Sequence, residues 1–206
     1  MSGAFTVDFL QQPPGRPAAL KKDASAEAAE LYYSFRRGNV WIGVLELIDW
    51  QISWTIAQPL GQVTWLEKEL DSEAARSARY RLLFIHEPPW GKNWTPCTDA
   101  YFGEQSLRDL LVPLAHEKGV SAIFSGHFHD YEHGQLDGVD LFVCGGAGGG
   151  LETVDCTPPA GFPDPWKWVE THHHLTVETG CDALTVVATD LDGTEIDRVS
   201  LAPIGQ

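Results

Sequence analysis

Apolar positions along this chain change period several times, and each change marks an element. Residues 40–48 (Val-Trp-Ile-Gly-Val-Leu-Glu-Leu-Ile) are apolar at nearly every position, the pattern of a strand buried on both faces. Residues 32–35, across the turn-forming Arg36-Arg37-Gly38, predict the other arm of a β-hairpin, which makes 40–48 a central strand. A helical stripe of Val63, Leu66, Leu70 and Ala74 predicts a helix over 61–78, with Glu67, Lys68, Glu69, Asp71 and Glu73 on its solvated face. Residues 81–85 read as a buried strand that ends at His86 before Pro88-Pro89. A second helix is expected over 103–118, with Leu107, Leu110, Leu111 and Leu114 inward, Pro113 as a kink or break, and His116 at its dipole-favoured end. The apolar residues 119–123 form the next strand, and Gly126 stands where the chain must turn sharply.

The rest of the chain alternates strands with turn formers. Val139 to Cys144 reads as a strand leading into a glycine-rich run at 145–150, and 151–170 as a Pro/Trp-rich loop. Residues 172–177 and 183–189 are strands, with Asp192-Gly193 turning into a last strand at 194–199. Residues 1–30 lack periodicity and are expected to be loop, with a short helix near 24–30.

Composition narrows the function classes. The 206 residues are 43% hydrophobic and 21% charged, enough for one globular domain with a core. Twenty-nine acidic against 14 basic residues give a net charge of −15, which argues against nucleic acid or an anionic membrane as the main partner. No apolar run is long enough to span a bilayer. Residues 1–20 lack a signal-peptide pattern; had the natural chain begun further upstream, a targeting segment would have gone with that part, so the compartment cannot be read. Cys97, Cys144, Cys156 and Cys181 have no C-x-x-C spacing; they allow a disulfide and imply none, and Cys144 is expected as a buried small apolar residue.

The candidate chemistry sits at strand ends. His86 ends one buried strand, and Gly126-His127-Phe128-His129-Asp130-Tyr131-Glu132 follows another. Ligands of open α/β sheets lie at the carboxyl ends of the strands, so two neighbouring strands would bring three imidazoles to one crevice. Trp90 and Trp94, in the loop after His86, are candidates for a substrate wall or for covering the core. The glycine-rich run at 145–150, five glycines among six residues, either cradles an anion or lets backbones approach closely. In a strand, His172 and His174 share one face and His173 takes the other, so the three cannot chelate together and are expected to be structural. Asp49, at a strand end, is expected to turn or cap the chain.

These residues resemble the calcineurin-like metallophosphoesterases, most closely the purple-acid-phosphatase-like members. The matching pieces run in family order: Tyr32-Tyr33-Ser34-Phe35 with Gly38-Asn39-Val40; residues 62–70; His86 with Pro88; residues 126–132; and Gly145-Gly146-Ala147-Gly148-Gly149. They cover most of the chain from about residue 30 onward. The resemblance implies an α/β fold, a β-sandwich flanked by helices. It also implies a phosphate-ester substrate and a dinuclear centre of Fe, Mn or Zn, with His86 and His127 on one ion and His129 on the other.

By the same resemblance Tyr131 and Glu132 support the loop, and Asp130 accepts a hydrogen bond from an imidazole. His133 stands where close relatives carry arginine. The family's Asp-x-His, Gly-Asp and Asn-His segments have no counterpart here, where the first histidine is His86. Residues 31–206 therefore resemble the C-terminal part of the domain, and 1–30 a remaining linker.

Imidazoles without carboxylates suit one Zn²⁺ better than Mn²⁺ or Fe³⁺, so one Zn or no metal is expected on this chain. The net negative charge leaves any phosphoester chemistry dependent on metal ions for local positive charge. Two functions are carried forward: a metal-dependent phosphoester hydrolase, incomplete as this chain, and a non-catalytic module that binds a partner, or a second copy, through an uncovered sheet.

Overall fold

The computed structural model describes residues 3–6, 32–46, 57–92, 102–151, 157, 160–180 and 182–204, of which 3–6 and 57–60 are described by backbone alone. The expected helix near 24–30, residues 47 and 48, Asp49, Trp94, Cys97, Cys156 and Cys181 lie outside the described residues.

Two sheets face each other. The larger has seven strands: β2 (Tyr33–Arg37), β3 (Val40–Val44), β4 (Tyr80–Phe84), β5 (Ala122–Ser125), β6 (Tyr131–Leu136), β7 (Val139–Cys144) and β8 (Trp166–Val169), in the order β2-β3-β4-β5-β7-β6-β8. Strands β3, β4, β5 and β7 are mutually parallel, and antiparallel pairs close both ends. The smaller sheet runs β1-β9-β10-β11, from β1 (Gly3–Thr6), β9 (His173–Thr179), β10 (Leu184–Asp190) and β11 (Glu195–Leu201). Helices α1 (Ala57–Leu70), α2 (Glu73–Arg76) and α3 (Gln105–Glu117) complete the described elements.

Alternation along the parallel strands explains the layering, because successive side chains point to opposite faces. Ile42, Leu82, Phe84, Phe124 and Phe142 meet Leu175, Val177, Leu184 and Val186 of the small sheet. Trp41, Leu83, Ile123 and Leu141 point the other way, onto Leu66, Leu70, Leu107 and Leu111 of the helices. This is the expected α/β arrangement, a multi-strand sheet flanked by helices and backed by a second sheet.

Several local expectations change. The helix predicted over 61–78 breaks at Ser72, whose extended backbone and side-chain oxygen cap α2. The break shifts the register, so Ala75 is buried while Ala74 is exposed. In α3, Leu110 faces outward at 46% exposure while Val112 and Ala115 are buried, and the helix continues through Pro113. Strand β3 is interior but next to the edge arm β2 rather than central. Residues 3–6, expected as loop, pair with β9, and Trp166–Val169, inside the expected 151–170 loop, form the outer strand β8. No described helix is long and apolar enough to cross a membrane.

Candidate functional site

Parallel pairing of β4 with β5 carries His86 and His127 out of the same end of the sheet. The ladder continues past the strands: Ile85 N–H donates to Phe124 O at 2.9 Å and Gly126 N–H to His86 O at 2.9 Å. The imidazole centroids of His86 and His127 end 5.3 Å apart at 74°. His127, and not Gly126, takes the left-handed conformation, with φ +68°. Phe128 N–H donates to Gly126 O at 2.8 Å across it, so His127 is the central residue of a γ-turn, a rare and strained conformation for a side-chain-bearing residue.

The third histidine is held by the glycine-rich run. His129 Nδ1 lies 2.8 Å from Gly150 O. A carbonyl only accepts, so Nδ1 carries the hydrogen and Nε2 presents its lone pair, the ligating arrangement. A Cβ on Gly149 would stand 2.6 Å from the His129 ring, and one on Gly145 would stand 1.8 Å from Phe128 O. Of the two readings of this run, close backbone approach to the histidine loops is the one the contacts support.

Electrostatics favour the neutral form of His86 and His127. Desolvation first, then the neighbouring His86 and His129 rings, hold the pKa of His127 down to about 4. His86 is lowered too, by desolvation and then by His129, although the residue as a whole is exposed.

The carboxylates that follow them in sequence turn inward. Asp130 and Glu132 are both fully buried. Asp130 Oδ2 accepts the indole N–H of Trp168, and Glu132 Oε2 accepts that of Trp166 at 2.5 Å. Both oxygens of Glu132 also receive the Lys92 backbone N–H, each at 2.8 Å. Burial, then the charge of Asp130, pushes the Glu132 carboxyl well above the usual range. Tyr131 points between the sheets and donates from its hydroxyl to Asp197 at 2.9 Å. The indoles and Lys92 were not singled out from sequence, although Trp166-x-Trp168, two residues apart in a strand, is the signal that puts both on one face.

The other candidates have packing and hydrogen-bond partners of their own. Trp90 is half-buried, with the Arg108 guanidinium 4.0 Å from its ring centroid and Phe162 at 5.2 Å. His133 stacks on Phe142 and reaches Asp140 Oδ1 at 2.9 Å. His173 is buried against Tyr131 and donates from Nδ1 to Thr171 O, while His172 donates from Nδ1 to Gly146 O. His174 is exposed. The Cys144 thiol is pushed up to about 12 by burial, so it is an inert small side chain.

Two imidazoles sharing one tetrahedral ion have centroids about 5 Å apart, which the His86–His127 separation matches. Among the described residues, however, no group of three or more His, Cys, Asp or Glu side chains is arranged to hold a metal ion. A dinuclear centre needs oxygen donors, and these residues do not provide its donor set.

No family model matches the chain. A serine/threonine-protein phosphatase, CPPED1 of Danio rerio, is 31% identical over 84 residues, covering 41% of this chain and 27% of that protein. The structure of purple acid phosphatase PPD1 from yellow lupin (Lupinus luteus) seeds superposes with TM-score 0.67 at 19% identity, over 87% of this chain and 34% of its own. GAP50, the anchor in the inner membrane complex of Plasmodium, superposes with TM-score 0.62 at 13% identity, over 85% of this chain and 54% of its own. The chain thus spans between about a quarter and a little over half of these proteins. It is related over part of its length to the calcineurin-like metallophosphoesterases and purple acid phosphatases, and it has their fold.

Proposed function

We propose that this chain is a non-catalytic metallophosphoesterase-like module that keeps the histidine side of the metal site and acts by binding. Residues 31–206 correspond in this reading to the C-terminal part of the domain. The observation that carries it is the fate of the carboxylates: Asp130 and Glu132 are spent on buried indole and backbone N–H groups. His86 and His127 are left as a pair of nitrogen donors with His129 as a further imidazole nearby in sequence, a set suited at most to a single Zn²⁺ held weakly. Among the described residues no oxygen donors stand ready to seat a second ion, and without one the metal-activated water on which phosphoester hydrolysis of this type depends is missing.

A binding role leaves the sheets as the means of contact. Strands β2 and β8 are outermost in the large sheet and β1 and β11 in the small one, and outermost strands are where another chain can add. A fold relative described as an anchor supports this reading. The test is metal content and turnover of the purified chain. At most one weakly held Zn²⁺ and negligible hydrolysis of 4-nitrophenyl phosphate are expected; two tightly held ions with brisk hydrolysis would overturn the proposal.

The hydrolase reading keeps support from the 5.3 Å His86–His127 separation, and it requires oxygen donors from outside the described residues. Under it, the same assay gives phosphatase activity that disappears in His127→Ala.

A further inference from the structure

We infer that Glu132 is a positioning residue for the histidine site, its buried carboxylate locking the two histidine-bearing loops together and holding His127 in its strained turn. The inference rests on reading His86 and His127 as one side of a metal site, and it says which residue outside that site sets their separation.

The stretch that follows His86 is tied to the His127 segment at two points, His86 itself and Lys92. At its start, His86 O receives the Gly126 N–H. At Lys92, the backbone N–H is received by both oxygens of Glu132, each at 2.8 Å. Between these ties Gly91 lies flat on the buried Phe128 ring, so close that a Cβ would stand 2.2 Å from it. Register brings in a third segment. Trp166 is paired across the strands with Gly134, whose missing side chain leaves room for the indole to lie over it and reach diagonally to Glu132. Glu132 therefore joins the loop after His86, the segment carrying His127 and the edge strand β8.

The residue type follows from the donors. Two N–H groups converge on a fully buried carboxylate, and an apolar side chain there would take this acceptor from both. The strained γ-turn at His127 needs such an enclosure, because conformations of this kind persist only where the surroundings over-determine them. Releasing Lys92 and Trp166 frees the loops to separate and lets His127 relax, which moves its ring away from His86.

Three variants test this: Glu132→Ala, Glu132→Gln, whose remaining oxygen still accepts, and Trp166→Phe, which removes one donor. Two readouts are taken well below each thermal midpoint: the NMR contact between the His86 and His127 rings, and Zn²⁺ affinity by calorimetry with zinc chloride. Glu132→Ala is expected to lose the ring contact and to weaken Zn²⁺ binding by about 10- to 100-fold, the range for outer groups that orient ligands, with Glu132→Gln keeping the contact. Trp166→Phe weakens binding in the same direction by a smaller factor. A folded Glu132→Ala that keeps both the contact and the affinity, and loses only thermal stability, overturns the inference.

Should Glu132→Ala not fold, Trp166→Phe decides: an unchanged contact and affinity overturn the inference. Should the wild-type chain take up no Zn²⁺, the metal-site reading fails by itself. The ring contact then decides the positioning role, supporting it if lost in Glu132→Ala and kept in Glu132→Gln, and overturning it otherwise.

Discussion

His127 protonates in the folded, metal-free chain near pH 4, against 6.5 for an unperturbed imidazole. Between those values the unfolded chain binds a proton that the folded chain refuses. Stability therefore falls as pH drops from 6.5 to about 4, and His127 adds no further slope on either side. His86 is lowered as well and adds to the same trend. Urea unfolding at pH 7, 5.5 and 4 should show this slope, and His127→Gln should flatten it; an equal slope in the variant would refute the assignment. Glycines give a second residue-scale test. Gly145→Ala drives a Cβ into the Phe128 carbonyl, whereas at Gly148 nothing lies within 4 Å. The first should destabilise by about 1–3 kcal/mol and the second by less than about 0.5 kcal/mol, as read from chemical-denaturation curves. The histidines were legible as candidates because each follows a short buried run, a pattern that one sequence displays. The γ-turn was not: it depends on a single hydrogen bond across His127, and no residue type announces that.

Elements built on strict alternation or on clear turn chemistry were legible. The hairpin of β2 and β3 turns at Gly38 with φ +60°, and that of β10 and β11 at Gly193 with φ +83°. What misled was any pattern that two structures share. An apolar stripe over 61–78 is equally well written by one helix or by two with an extended Ser72 between them, and only packing separates the cases. Trp166–Val169 looked like loop because its neighbours are prolines and glycines, yet its indoles need the carboxylates of Glu132 in β6 and Asp130 just before it, 34 and 38 residues away, to be satisfied. The helix break has its own test. Because the second register buries Ala75 and exposes Ala74, Ala75→Leu should destabilise by about 1–3 kcal/mol, while Ala74→Leu should stay within about 0.5 kcal/mol. The opposite ranking in thermal melts would restore the single helix.

At the scale of the whole molecule, the two sheets share an apolar core and are joined at its margin through Asp197 of β11. Its Oδ2 accepts the Tyr131 hydroxyl at 2.9 Å, its Oδ1 lies 3.1 Å from Lys167 Nζ, and His133 Nδ1 is 3.5 Å from Oδ2, all three partners belonging to the large sheet. Burial pushes its pKa up, but the bonds from Lys167 and Tyr131 outweigh that and leave it below the ordinary carboxylate value. Its contribution is thus present above that ordinary value and is lost as pH falls through the lower folded one. Asp197→Ala leaves the buried Tyr131 hydroxyl without this acceptor and should cost about 1–3 kcal/mol. The loss has a location. Tyr131 stays packed by the large sheet, while β11 has β10 as its one strand partner among the described residues, so the small sheet should loosen first. Hydrogen exchange followed by mass spectrometry should show faster exchange in β10 and β11 of the variant, with β4 and β5 close to wild type. Equal acceleration in both sheets would mean that they open together and that this margin contact does not govern how the small sheet is held.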